Sequence, residues 1–252
     1  MLTLDERMKS YYENATRNYL PRRMPVIIRI DGKAFHTFTK ELDKPFDKHI
    51  IYAMKETAKY LCKNVQGCKL AYTQSDEISL LLTDYDTLET DAWFGYNIQK
   101  MVSVSASMAT LAFNHAFVES VISEYVYNKK EIPDCYSNKF ETALFDSRVF
   151  VLPKEEVCNY FIWRQQDGIR NSKQALGQKY LSYNELYGLK TDEIVKKLEE
   201  EHCINWNGLP SQLQRGIYIT KEQEPISSRT IWMDHDETPL FKVEREAIEE
   251  FI

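Results

Sequence analysis

The chain has 252 residues, 43% of them hydrophobic, with a formal net charge of −6. That length suits one large domain, or a catalytic domain with a smaller appendage. No stretch reads as the roughly 20 apolar residues of a membrane span, and the charged start Asp5-Glu6-Arg7 is no signal core, so a cytoplasmic protein without a membrane partner is expected. Five cysteines without Cys-x-x-Cys spacing point to reduced thiols rather than a zinc or disulfide framework. The acidic balance leaves nucleic acid open as a partner, because recognition needs only a local basic patch.

Met24–Asp31 is a short branched apolar run opened by a proline, which predicts a buried strand broken at Gly32. After Pro45, Ile51, Met54, Ala58 and Leu61 recur at helical spacing. Lys69–Thr73 and Ile78–Thr83 read as two strands joined tightly at Ser75 and Asp76. A helix at about 95–120 is expected to bury Met101, Val104, Met108 and Leu111, with strands to follow at Glu141–Phe145 and Val149–Leu152. The order strand, helix, strand, strand, helix, strand is the split βαβ, ferredoxin-like pattern. The expected fold is therefore α+β: an antiparallel sheet with helices on one face over residues 1–153, then a mostly helical region with a short β tail over 154–252.

The chemistry falls at strand ends. In a split βαβ sheet the C-terminal end of the first strand faces the 75–76 connection, so Asp31 and Asp76 are predicted to converge. Two carboxylates suffice for magnesium when a triphosphate supplies further oxygens, and a pair of such ions can activate a hydroxyl and stabilise leaving pyrophosphate. Gly32 can turn the backbone and offer its carbonyl, while the amides of Lys33, Ala34, Phe35 and His36 can point at phosphate oxygens. Lys44 and Lys100 can offset phosphate charge. Asp234-His235-Asp236-Glu237 reads as an exposed turn.

Five ordered segments resemble the tRNA-histidine guanylyltransferase family: Arg29 to Phe38, Lys44-Pro45-Phe46-Asp47, Ala71 to Ser79, Phe145-Asp146-Ser147-Arg148, and Trp163-Arg164-Gln165-Gln166-Asp167. The resemblance implies a polymerase-like palm that adds nucleotides to the 5′ end of tRNA after a nucleoside triphosphate, ATP or GTP, activates that end. By motif position Asp31, Asp76 and the Gly32 carbonyl would hold two Mg2+ ions. The stretch from Asp31 to His36, with Ser75, would contact the triphosphate, and Lys44, Asp47 and Lys100 would stand behind it. Arg164, Arg170, Asn171 and Lys173 on the predicted 154–181 helix are expected to contact tRNA phosphates. A homotetramer is expected by the same resemblance.

Where eukaryotic members carry His-Ile-Asn-Asn, this chain reads Gly168-Ile169-Arg170-Asn171. That pattern resembles the guanylyltransferase-like branch of bacteria and archaea, associated with template-dependent 3′-to-5′ repair of 5′-truncated tRNA. Guanylate addition to histidine tRNA is the enzymatic alternative. A nucleotide cyclase and a non-catalytic RNA-binding palm are the other readings; retention of two uncompensated acids speaks against the latter.

Overall fold

The computed structural model describes residues 2–224 and 229–252. After α1 (Leu4–Met8) the chain runs β1 (Val26–Gly32), the single turn α2 (Phe35–Phe38), α3 (Lys48–Asn64), β2 (Cys68–Gln74), β3 (Glu77–Leu82), α4 (Ile98–Tyr127), α5 (Asp134–Ser137) and β4 (Phe145–Val151). It continues with α6 (Lys154–Tyr180), α7 (Tyr183–Leu186), α8 (Thr191–His202), α9 (Ser211–Arg215), β5 (Ile217–Gln223), β6 (Thr230–Asp234) and α10 (Glu246–Glu249).

The first four strands pair antiparallel in the order β4-β1-β3-β2, the ferredoxin-like arrangement expected from the element order. The tail strands join the same sheet, β5 on β2 and β6 on β5, giving six strands among the described residues. Alternation along β1 sets the layers. Val26, Ile28 and Ile30 pack with α3 and α4, while Ile27 packs with Val157, Tyr160 and Phe161 of α6. The palm's own helices, α3 and α4, thus lie on one face as expected, and α6 of the C-terminal region covers the other. A strand apolar at consecutive positions is buried on both sides, and α6 supplies the second cover.

α3 begins where Asp47 caps it, accepting from the amides of His49 and Ile50 at 2.9 and 3.0 Å. Its buried face carries Ile50, Met54, Ala58 and Leu61. α4 differs from expectation. Its buried stripe runs through Met101, Ser105, Ala109, Phe113 and Phe117, and Leu111 is 65% exposed. Each step of four turns about 40°, so the buried stripe winds to one side of Met101, whereas Leu111 lies about 80° to the other side. The 30 residues of α4 are also long and apolar enough to cross a membrane by length and composition, contrary to the sequence reading. Here its inner stripe lies on the sheet instead. The expected strand at Glu141–Phe145 is absent: Glu141 has φ of 58°, and Asn114 of α4 clamps Ala143 through both its amide and its carbonyl.

Candidate active site

The hairpin between β2 and β3 turns in two residues, Ser75 and Asp76. Ser75 holds φ of 51°, a left-handed conformation that costs a non-glycine residue energy and tends to persist where function requires it. β1 lies beside β3 with Asp31 opposite Glu77, and the Gly32 amide donates to the Asp76 carbonyl at 3.1 Å. The two aspartates thus meet at one end of the sheet, as their strand positions predict. Burial pushes the Asp76 carboxyl above the usual range; the Ser75 hydroxyl, donating at 3.0 Å, partly offsets this, and the Asp31 carboxylate adds to it.

Beyond Gly32 the chain folds back. A Cβ at position 32 would fall 2.2 Å from the Phe35 ring, so glycine is required by that close approach, not by an unusual backbone angle. Phe35 is itself held in a cluster of rings from Phe38, Phe113 and Phe145. Ala34, at φ of 54°, opens α2, and the first amides of any helix have no partner within it. Ala34, Phe35 and His36 line a cavity of about 810 Å³, together with Gly32, Ser75 and Asp76. Lys33 does not fit the expectation of a phosphate-facing amide, because its N–H is taken by the Leu144 carbonyl at 2.8 Å.

The far wall of this cavity comes from the C-terminal region. Gly168, Asn171, Ser172, Ala175, Gln178 and Lys179 of α6 line it, with Gln212 and Leu213 of α9. Gly168 permits the approach, since a Cβ there would lie 3.0 Å from the Tyr72 hydroxyl and 3.2 Å from Gln74. Phe46, in the loop carrying Lys44, packs into the cluster of Leu176, Ile194, Leu198 and Trp206, which ties that loop to α6 and α8. A volume of this size holds a nucleoside triphosphate.

The profile of the tRNAHis guanylyltransferase (Thg1) family matches residues 5–153. The chain belongs to this family. A bacterial Thg1-like protein in complex with ATP is 46% identical, with a TM-score of 0.84 over 99% of both chains. A bacterial Thg1-like protein in complex with GTP is 45% identical over 98% of both, with a TM-score of 0.80. The probable tRNA(His) guanylyltransferase of Dictyostelium discoideum is 29% identical across 78% of this chain and 75% of its own. The chain is thus a guanylyltransferase-like nucleotidyltransferase, similar to the bacterial Thg1-like proteins as Gly168 to Asn171 led one to expect.

In this Thg1-family chain several expected contacts are relocated. Lys44 lines the cavity. Asp47 lines it too, but its carboxylate accepts from the amides of Asp43, His49 and Ile50 and from the Tyr136 hydroxyl, which fills its accepting positions. It therefore shapes the loop rather than reaching a nucleotide. Lys100 is not at the cavity. Thr110 of α4 meets Phe145, opposite Gly32, and Lys100 lies ten residues back, about 15 Å along a helix, with its ammonium near the Phe94 ring.

The expected tRNA face of α6 also changes. Arg164 is 3% exposed and forks onto Glu77 with both contacts at 2.7 Å, so it is no surface cation. Its place on the helix face that crosses the sheet, not on the solvated one, is the reason. Arg170 is exposed but paired with Asp167, Lys173 pairs with Asp192 over the Trp206 ring, and Asn171 lines the cavity. Of the expected 234–237 turn, Asp234 instead ends β6, paired with Ile219 and held by Lys55 and Lys59.

Two residues escaped sequence reasoning. Glu77 is buried between Arg164 and Arg29, and Arg29 also lies 3.5 Å from Asp31. The available signal was Arg29 itself, a charge set between isoleucines in a buried strand, which demands a buried partner.

Proposed function

We propose that this chain lengthens the 5′ end of tRNA in the 3′-to-5′ direction, replacing missing nucleotides by copying the opposite acceptor strand. The observation that carries this reading is a pair of carboxylates on adjoining strands beside a cavity of triphosphate size. The relatives' complexes with ATP and GTP support both as nucleotides. Glycine at 168, where the guanylyltransferases proper carry histidine, supports templated repair over guanylate addition to histidine tRNA.

The donors fit magnesium. Asp31, Asp76 and the Gly32 carbonyl would hold two ions, and no third acid or histidine completes a set among the described residues, so substrate phosphates and water fill the remaining positions. Bound magnesium would stabilise pyrophosphate as it leaves when the 5′ phosphate displaces it from the activating triphosphate, and would then activate the incoming 3′-hydroxyl that displaces the nucleoside monophosphate from the activated end. The chain's own part is orientation. Amides of Ala34, Phe35 and His36 donate to triphosphate oxygens, and Lys44 balances their charge. The α6 wall holds the nucleotide so that its 3′-hydroxyl faces the activated 5′ phosphate, with water kept out behind it.

A 5′-monophosphorylated tRNA lacking its first nucleotide, given magnesium and four triphosphates, is expected to gain the nucleotide that pairs with the opposite acceptor position. Extension of intact histidine tRNA by guanylate, with the truncated tRNA ignored, would instead make the chain a guanylyltransferase proper. A cytoplasmic homotetramer belongs to the same reading. Five free thiols suit a reducing compartment, and Leu111, Ile122, Val126 and Tyr127 leave an apolar strip exposed on α4 that self-association would cover. Light scattering is expected to give the mass of four chains; a monomer at micromolar concentration would remove the assembly.

A further inference from the structure

Beyond the Gly32–His36 turn the cavity extends toward β2 and β5, with Thr73, Gln74, Gly216 and Ile217 in its lining. A second substrate, the RNA end of the preceding reading on which this inference rests, must reach the same carboxylates from the side of β1 and β4. There the face of β4 turned toward α6 is open. Asp146 stands opposite Asp31 and Arg148 opposite Arg29, and both side chains are 58% exposed. Phe150, two residues on and so on the same face, packs against Tyr160 of α6 at 5.7 Å between centroids.

Trp163 overlooks this strip. Tyr160 contacts β4, while Phe161 meets Phe241, which stands against Tyr72 of β2. A residue three positions after Tyr160 is turned about 60° from it, on the side away from Phe161, which places Trp163 on the β4 flank. The indole is 53% exposed, so much of its apolar surface lies in water. It is nevertheless held. The Arg164 guanidinium lies 4.4 Å from the ring, pinned in turn by Glu77, and Tyr160 meets the ring edge-on at 6.0 Å.

We propose that Trp163 is the platform on which the terminal base of the RNA 5′ end stacks, with Arg148 on the neighbouring strand for phosphate. The chemistry selects nucleic acid as the occupant: an exposed aromatic face backed by the Arg164 guanidinium, with the exposed Arg148 on the strand it overlooks, is the combination that binds a base and its backbone together. Stacking accepts any base, because every base has a π face. The platform therefore seats whatever terminal residue a truncated tRNA presents and leaves the choice of the added nucleotide to pairing.

The test uses the full chain, without triphosphate, and a 5′-hydroxyl acceptor-stem hairpin whose terminal residue is either a normal nucleotide or abasic. Wild type is expected to bind the normal hairpin about tenfold more tightly, within the roughly 5- to 150-fold range of base stacking on an aromatic side chain. Trp163→Ala should bind both hairpins equally, at the weaker affinity. Trp163→Phe should keep most of the preference, and ATP affinity should stay unchanged in both variants. A wild type indifferent to the terminal base, or a Trp163→Ala variant that keeps the preference, would overturn the platform while leaving tRNA as substrate. A wild type that binds ATP but neither hairpin would overturn the RNA-end reading itself. Should Trp163→Ala fail to fold, tryptophan quenching decides: RNA must quench wild type more than Trp163→Phe, and equal quenching rejects the proposal.

Discussion

Asp76→Asn is expected to lower nucleotide addition about a thousandfold while leaving the metal-free protein at least as stable as wild type. The loss follows from removing one of the two carboxylates offered to magnesium. A metal's stabilisation of transition-state charge is worth several kcal/mol, and each 1.4 kcal/mol or so is a factor of ten. The stability follows from the opposite sign of the same electrostatics. Burial, with Asp31 adding to it, raises the Asp76 carboxyl above the usual range. A carboxyl whose folded pKa lies above its unfolded one costs the fold stability at every pH above both, since its charged form is the disfavoured one. Asparagine keeps the shape without the charge. Single-turnover addition and thermal unfolding in chelator check the two halves. Activity within tenfold of wild type, or a lower melting temperature in chelator, would remove Asp76 from the metal site.

Arg164→Met carries the second large effect, on the fold. Arg164 and Glu77 are both nearly inaccessible and share two contacts of 2.7 Å. Removing one partner of a buried pair strands the other, at about 3–5 kcal/mol. Arg29 remains 2.8 Å from Glu77, so the lower end, about 3 kcal/mol, is expected. With a urea slope of about 3 kcal/mol per molar, appropriate to a chain of this size, the midpoint should fall by about 1 M. Glu77→Leu combined with Arg164→Met should not recover the loss, because it also removes the 2.8 Å partner of Arg29 and leaves that guanidinium only Asp31 at 3.5 Å. An unchanged midpoint for the single variant would mean that the pair does not hold α6 to β3. The same substitution also removes the guanidinium behind Trp163, so RNA affinity should fall with it.

How much of the site was legible follows from what each residue needs. Asp31, Gly32, Ser75 and Asp76 sit at strand ends and in a tight turn, features written in a few consecutive residues, and their convergence follows from one topological rule. Lys44, Ala34, Phe35 and His36 follow the same short-range logic and do line the cavity. Lys33, Asp47 and Lys100 stand in or near the same motifs, yet their polar groups are engaged elsewhere or far off. A motif gives position along the chain but not which hydrogen bonds are already satisfied.

The sequence by itself determined the palm. Alternation and apolar runs of β1 to β4 specify strands, helical spacing specifies α3 and α6, and their order specifies the sheet, because period and connection are local properties. Only the tertiary structure decided what α6 does. Its cations read as one basic face, but the packing of the helix on the sheet buries Arg164 on Glu77, leaves Trp163 exposed and puts Asn171 in the cavity wall. α6 approaches the sheet most closely at Gly168, against Tyr72 and Gln74, a contact between residues about a hundred positions apart that no local pattern records.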